Sequence, residues 1–201
     1  MVSKSHKFII ITPQKTGATS MTKALLNLCD ISEENVIPQF RECFEINDPF
    51  REKHSKHCTI REICKTWDSV CPEEDFDEYY KIGSIRNPWD RMLSWYMWSN
   101  NGNPHGNIEK FKHFINNVKM LGLCQSFEYG GKMMIDDFIR FPTLAEDFHS
   151  FCDKIGEDIK LPKLNVGVDR ESYQPYYTKE TADMVAIRYA RDLKYFGYTF
   201  D

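Results

Sequence analysis

The chain has 201 residues, of which 41% are hydrophobic, and this is enough to bury one substantial core. We therefore predict a single domain over residues 1–201. The 26 Lys and Arg residues are balanced by 30 Asp and Glu residues, which excludes the global positive field that gathers nucleic acid or anionic membranes. No apolar run approaches the roughly 20 residues of a membrane span. We expect no nucleic-acid partner and no membrane anchor.

The seven cysteines are odd in number, none belongs to a C-x-x-C pair, and no signal-peptide pattern opens the chain. We therefore expect the cysteines to be reduced thiols and the protein to be cytoplasmic.

The first predicted element is a strand from Phe8 to Thr12, whose continuous apolar run is typical of a parallel strand covered on both faces. A helix is predicted over 18–29, where apolar residues recur at helical spacing. Residues 30–76 are irregular, with a short strand at 36–38 and a helix at 59–67. A second clear strand ends near Ile85, and Asn87 can cap a helix that begins at Pro88 and continues to Ser99.

Residues 100–107 form a loop by composition, and an apolar stripe over 108–118 predicts a helix ended by Gly122. A strand is predicted at 134–140. Thr143 and Glu146 form a capping box for the next helix, which Gly156 ends. The last helix is predicted over 178–196, with Gly197 as its stop. Strands that alternate with helices predict an α/β fold, with a parallel β-sheet flanked by helices.

The loop TPQKTGATS, residues 12–20, follows the first strand and places small polar residues around Lys15. A glycine-containing loop that enters a helix presents unpaired N–H groups and the positive end of the helix dipole. Lys15 adds a full charge, and the hydroxyls of Thr16, Thr19 and Ser20 add donors. Because Lys15 precedes Gly17, the nucleotide triphosphatase motif G-x-x-x-x-G-K-[ST] is absent. By itself the loop fits an anion site and, equally, a helix cap with a solvated lysine.

The segment IRNPWDRMLSWY, residues 85–96, repeats this architecture, because Arg86 ends a strand and a helix begins at once. Ligands of open α/β sheets bind beyond the carboxyl ends of the strands, so two such junctions could hold two anionic groups of one ligand. Whether Ser94 reaches the same anion as Arg86 depends on how the chain bends over the helix start. The alternative for Arg86 and Arg91 is pairing with acids such as Asp90, which we expect more for Arg91.

These two motifs, PQKTGATS and RNPWDRMLSWY, resemble those of sulfotransferases that use 3'-phosphoadenosine 5'-phosphosulfate, in particular the carbohydrate-type and bacterial branch. The segments KHSKHCTIREI and YYTKETADMVAIRYARDLKYFGYTF are similar to further parts of that branch. The resemblance implies a P-loop-NTPase-like sulfotransferase fold and transfer of a sulfuryl group to a hydroxyl or amine. It implies a small-molecule or carbohydrate acceptor, whose identity the sequence does not give.

Carried over residue by residue, the resemblance implies that the first loop cradles the 5'-phosphosulfate through Lys15, Thr16, Gly17, Ala18, Thr19 and Ser20. It assigns the 3'-phosphate to Arg86 and Ser94, with Arg170 in LPKLNVGVDRESY as a third cation. Lys15 would stabilise the departing phosphate oxygen. This chain departs from the family pattern at Gln14, which separates Pro13 from the lysine, and at Ala18.

A histidine suits the general base because its ordinary pKa leaves it largely neutral at pH 7. His57 lies between the two motifs, where the family places its base, and His54 is the second candidate. The alternative is a metal cluster of His54, His57, Cys58 and Cys64, but their spacing lacks a paired C-x-x-C. We expect no bound metal.

Three tryptophans, at 89, 95 and 98, fall on the second helix. We expect them to pack in the core, with stacking against an acceptor as the alternative.

Two rival functions remain open from the sequence. A nucleotide or small-molecule kinase would also need a phosphate-cradling loop, although the lysine placement opposes it. A non-catalytic module could bind adenosine 3',5'-bisphosphate without turnover, and the changes at Gln14 and Ala18 leave room for this reading.

Overall fold

The computed structural model of the chain describes residues 1–29, 57–100, 107–164 and 171–201. Six strands and eight α-helices lie within these residues, and we number them in chain order. They are β1 (Val2–Ser3), β2 (Phe8–Ile11), α1 (Ala18–Leu25), α2 (Ile60–Val70), β3 (Tyr80–Arg86), α3 (Pro88–Asn100), α4 (Ile108–Asn117), α5 (Leu123–Phe127), β4 (Glu128–Tyr129), β5 (Lys132–Met133), β6 (Asp137–Phe141), α6 (Leu144–Lys154), α7 (Lys179–Arg188) and α8 (Ala190–Phe196).

The main sheet has the strand order β1-β2-β3-β6. Strand β3 pairs in parallel with both β2 and β6, in the registers Ile11↔Gly83 and Ile85↔Arg140. The added edge strand β1 runs antiparallel to β2. Because β2 and β3 are parallel neighbours, their carboxyl ends meet at one edge of the sheet, and the loops that follow them lie side by side.

Alternate residues of β2 enter two different cores, as the pleat of a strand requires. Phe8 and Ile10 pack with α1 and α6 on one face, and Ile9 and Ile11 pack with α2 and α5 on the other. All four side chains are at most 1% exposed. The continuous apolar run therefore reports a strand with both faces covered, which confirms the prediction of a mostly parallel sheet flanked by helices.

A third cluster forms among helices rather than against the sheet. Trp89, Leu93 and Tyr96 of α3 pack there with Phe111 of α4 and Val185 of α7. This cluster fixes α3 along its length, and α3 begins within the segment IRNPWDRMLSWY.

The N-cap predicted for α3 is present, and the capping box predicted for α6 is not. At α3, the Asn87 side chain accepts the Trp89 N–H at 3.0 Å, as expected for an N-cap. At α6, Thr143 makes no side-chain cap bond and has ψ 30, so the predicted capping box is wrong. Its hydroxyl donates to the Arg140 carbonyl, and the Asp147 carboxylate accepts the Arg140 N–H.

The single terminal helix predicted over 178–196 is wrong, because the chain breaks at Tyr189 (φ −112) into α7 and α8. The Tyr189 hydroxyl donates to the Met120 carbonyl at 3.1 Å. Just past the break, the buried Asp192 carboxylate accepts the N–H groups of Leu123 and Cys124. The break therefore aims a carboxylate at the start of α5, where the helix dipole favours it.

Smaller differences concern element ends and elements that the sequence did not predict. Helix α1 ends at Leu25 and continues as a 3-10 turn over Leu26–Leu28. Strand β1, helix α5 and the β4-β5 hairpin were not predicted, since each of these strands has two residues and the helix has five. The short strand predicted at 36–38 lies outside the described residues. Among the described residues, no helix combines the length and apolar character needed to cross a membrane.

Candidate functional site

The first loop is pinned to strand β3 by the buried hydroxyl of Thr16. This hydroxyl donates to the Pro13 carbonyl at 2.6 Å and lies 2.6 Å from the hydroxyl of Ser84. A hydroxyl has one proton, so Ser84 is the donor in the second bond. Thr16 therefore organises the loop with its side chain, and its contribution to an anion would come from its backbone N–H.

The loop backbone has the form of an anion cradle. Lys15 (φ 66) and Gly17 (φ 92) both adopt left-handed conformations, and such turns direct successive N–H groups into one concavity. Gly17 is the N-cap of α1 and provides no capping side chain. A bound anion would occupy the place of that cap, against the N–H groups of the first turn and the positive end of the dipole.

Two arginines of the second motif hold the carbonyl groups of the first loop. Arg86 donates from Nη1 to the Lys15 carbonyl at 3.1 Å, and Arg91 donates from Nε to the Gln14 carbonyl at 2.8 Å. Because both carbonyls are drawn toward α3, the loop is fixed with its carbonyls on that side. The two motifs that the sequence predicts to bind anions are thus in direct contact.

Arg86 is held in place on three sides. Its Nε donates to the Asp90 carboxylate at 2.6 Å, and its guanidinium lies 3.9 Å from the centroid of the Phe141 ring. The Asp90 partner is therefore Arg86, and the expectation that Arg91 would take it is wrong. A guanidinium with a fixed fork can bind a phosphate bidentately.

Arg91 is a structural cation. It is 1% exposed and donates from Nη1 to the Leu121 carbonyl at 2.9 Å, so it joins the first loop to the segment before α5. Burial lowers the pKa of its guanidinium, and the nearby Tyr189 and Asp192 counteract this effect. The guanidinium thus bonds two backbone carbonyls at once, through Nε and Nη1.

His57 contacts the end of strand β2. Its Nδ1 lies 2.7 Å from the Thr12 carbonyl. A carbonyl can only accept, so Nδ1 carries the proton, and the neutral ring keeps Nε2 as its acceptor nitrogen. This is the tautomer that a general base requires, and it is set by the residue that opens the first loop.

Helix α3 presents one face to the first loop. Arg91 and Trp98 are seven residues apart on this helix, and both contact the loop, Arg91 through Gln14 and Trp98 through Lys15, whose Nζ lies 5.3 Å from the indole centroid. Ser94 lies between them at helical spacing. The half-buried Ser94 therefore lies on the same side of α3 as these two residues.

Ser20 is engaged by a later segment of the chain. Its hydroxyl accepts the Leu164 N–H at 3.2 Å, and the Leu164 carbonyl lies 3.5 Å away. Leu164 thus lies against the first turn of α1. Arg170, a predicted site residue, lies outside the described residues, as does His54.

Of the predicted residues, the structure brings Arg86 against Lys15 of the first loop and His57 against Thr12, where that loop begins. The sequence did not predict that Asp90 orients Arg86 or that Trp98 lies against the Lys15 ammonium. The signal for Trp98 was present, because it lies four residues after Ser94 on a helix. Trp89 and Trp95 are buried as expected, and Trp98 is 57% exposed. In the described segments, no three His, Cys, Asp or Glu side chains are placed to share a metal ion.

A family model described as the sulfotransferase family matches residues 1–141. The match covers more than half of the chain and includes both predicted anion-binding motifs and His57. No curated protein and no solved structure matches the chain significantly.

Proposed function

Since the chain belongs to the sulfotransferase family, we propose that it transfers a sulfuryl group from 3'-phosphoadenosine 5'-phosphosulfate to a hydroxyl or amine acceptor. The observation that carries the choice of donor is the contact between Arg86 and the Lys15 carbonyl at 3.1 Å. This contact places the cation of the second motif, Arg86, beside the loop that carries Lys15. A ligand with two separate anionic groups therefore fits the two cations better than a ligand with one.

The first loop would hold the 5'-phosphosulfate. The N–H groups at the start of α1 and the Lys15 ammonium face the charge that grows on the phosphate oxygen as the sulfur–oxygen bond breaks. Donors that are already oriented need no reorganisation during the reaction. Arg86 would bind the 3'-phosphate, with Ser94 on the loop-facing side of α3 as an additional donor.

His57 would act as the general base. The acceptor hydroxyl forms a bond to sulfur while its proton moves to Nε2 of His57, and the electrons of the breaking bond stay on the departing phosphate. The Nδ1–H bond to the Thr12 carbonyl holds the ring and favours the imidazolium that forms. Cations and N–H groups of the first loop thus meet the negative charge on the leaving-group side of the sulfur, and His57 takes the proton on the acceptor side.

The donor is tested by ligand-induced thermal stabilisation. Adenosine 3',5'-bisphosphate should raise the melting temperature more than 5'-AMP, because binding to the folded state stabilises in proportion to RT ln(1 + [L]/Kd). In Arg86→Met the advantage of the bisphosphate should disappear. Arg191→Met, which removes an equal charge from an exposed pair with Glu128, should keep it. Equal stabilisation by the two nucleotides in the unsubstituted protein contradicts the donor.

The base is tested by two substitutions of His57. An asparagine can still donate to the Thr12 carbonyl but has no Nε2, so His57→Asn should bind the bisphosphate normally and lose about 10²–10⁴-fold in kcat. Turnover is measured with sulfur-labelled donor and a panel of sugar, phenol and amine acceptors. Unchanged turnover in both His57→Asn and His57→Ala would remove His57 from the mechanism, and magnesium-dependent ATP turnover would favour a kinase instead.

A further inference from the structure

The ammonium group of Lys15 lies over an aromatic ring in this structure. Its Nζ is 5.3 Å from the centroid of the Trp98 indole, within the distance at which a cation is attracted to the ring face. The Trp98 side chain is 57% exposed, and the buried Trp95 meets it in a T-shaped contact with centroids 6.4 Å apart. The ring is therefore supported from the core while it contacts the cation at the site.

We propose that Trp98 is a positioning residue that holds the Lys15 ammonium before the donor binds and yields it to the donor's anionic group. The inference rests on the donor-binding role proposed for Lys15. It adds a residue outside the first loop that sets the resting place of the cation.

The backbone around Lys15 does not need to move in this exchange. The Gln14 and Lys15 carbonyls are both held by arginine side chains, at 2.8 and 3.1 Å. Rotation of the flexible lysine side chain, whose stem has four carbons, carries the ammonium from the ring to the anion. Trp98 and Arg91 lie on the same face of α3, so the ring stands beside the loop that carries the lysine.

The relative strengths of the two contacts decide which one prevails. A cation–π contact at an exposed site corresponds to a factor of about 2–5 in an equilibrium constant. A hydrogen bond between charged groups corresponds to a factor of about 10–100. The anion therefore draws the ammonium away from the ring. Because the contact with the ring must be broken first, the ring weakens donor binding by about 2–5-fold. Loss of the ring should tighten nucleotide binding, and only when Lys15 is present.

A double-mutant cycle on the dissociation constant of adenosine 3',5'-bisphosphate tests this coupling. Isothermal titration calorimetry is carried out on the unsubstituted protein, Trp98→Leu, Lys15→Met and the double variant. Trp98→Leu should bind about 2–5-fold more tightly than the unsubstituted protein. In the Lys15→Met background the same substitution should change the constant by less than about 1.5-fold, within the usual additivity of independent sites. Trp98→Phe, which keeps a weaker ring, should fall between Trp and Leu.

Tyr195→Leu provides the matched control, since it removes another exposed ring, 51% exposed, from α8. It should leave the constant unchanged. A second readout is tryptophan fluorescence, because departure of a cation from the indole changes its emission. The change on nucleotide binding should be reduced in Trp98→Phe and in Lys15→Met.

Weaker or unchanged binding in Trp98→Leu would overturn the inference, and so would equal tightening in the Lys15→Met background. Both results leave the donor proposal intact, because the unsubstituted protein still binds the nucleotide. Absence of binding by the unsubstituted protein would instead refute the donor proposal, and the inference with it.

Discussion

Substitution of Gly17 by alanine should destabilise the protein by about 2 kcal/mol. The residue has φ 92, a conformation that costs an L-residue roughly 1–2 kcal/mol. An added Cβ would lie 2.7 Å from Cδ2 of Leu144. That atom is the end of a flexible, half-buried side chain, so displacing it costs about 0.5–1.5 kcal/mol as rotamer strain. Alanine also lowers the conformational entropy of the unfolded chain, which stabilises the folded protein by about 0.4–1 kcal/mol.

Two comparisons separate the backbone cost from the steric cost. Gly156 also has positive φ (75), but nothing lies within 4 Å of an added Cβ there, so Gly156→Ala should cost only about 1 kcal/mol. In a Leu144→Ala background the obstructing methyl groups are gone, and Gly17→Ala should then cost about 1 kcal/mol as well.

Urea denaturation provides the free energies of unfolding for all five proteins. The reasoning is refuted if Gly17→Ala costs no more than Gly156→Ala, or if its cost is undiminished when Leu144 is shortened.

Three further predictions concern other parts of the structure. Thr16→Val removes two buried hydrogen bonds and should cost about 1–3 kcal/mol in urea denaturation, whereas equal stability of Thr16→Val and Thr16→Ser would contradict it. Burial raises the pKa of Asp137, but hydrogen bonds led by that from Lys154 outweigh it and lower the pKa overall. The stabilisation that the ionised Asp137 provides is therefore complete above about pH 4 and is lost as the pH falls through the folded-state pKa. Lys154→Met should flatten the pH dependence of the urea midpoint below about pH 4. Burial raises the pKa of Cys124 to about 12 and that of Cys152 to about 11, so iodoacetamide at pH 8 should label neither thiol until the protein is unfolded, as read by mass spectrometry.

Local patterns determined strands β2 and β3, the start of α3 and the position of the two loops that follow these strands. The apolar run at Phe8–Ile11 predicts a covered strand, and Asn87 followed by Pro88 predicts a helix start. These features depend on residues close together in the chain, so their physical causes can be read from the order of residues.

The tertiary structure alone decided which groups these elements bring together. The sequence placed Asp90 one residue from Arg91 and four from Arg86. In the structure Asp90 pairs with Arg86, and Arg91 donates to the carbonyls of Gln14 and Leu121. The break at Tyr189 likewise depends on a carbonyl that lies 69 residues away. Helical periodicity tells which face of an element is buried, but not which partner covers it. The contact of His57 with Thr12 spans 45 residues, and such a contact exists only once the sheet has aligned its neighbouring strands.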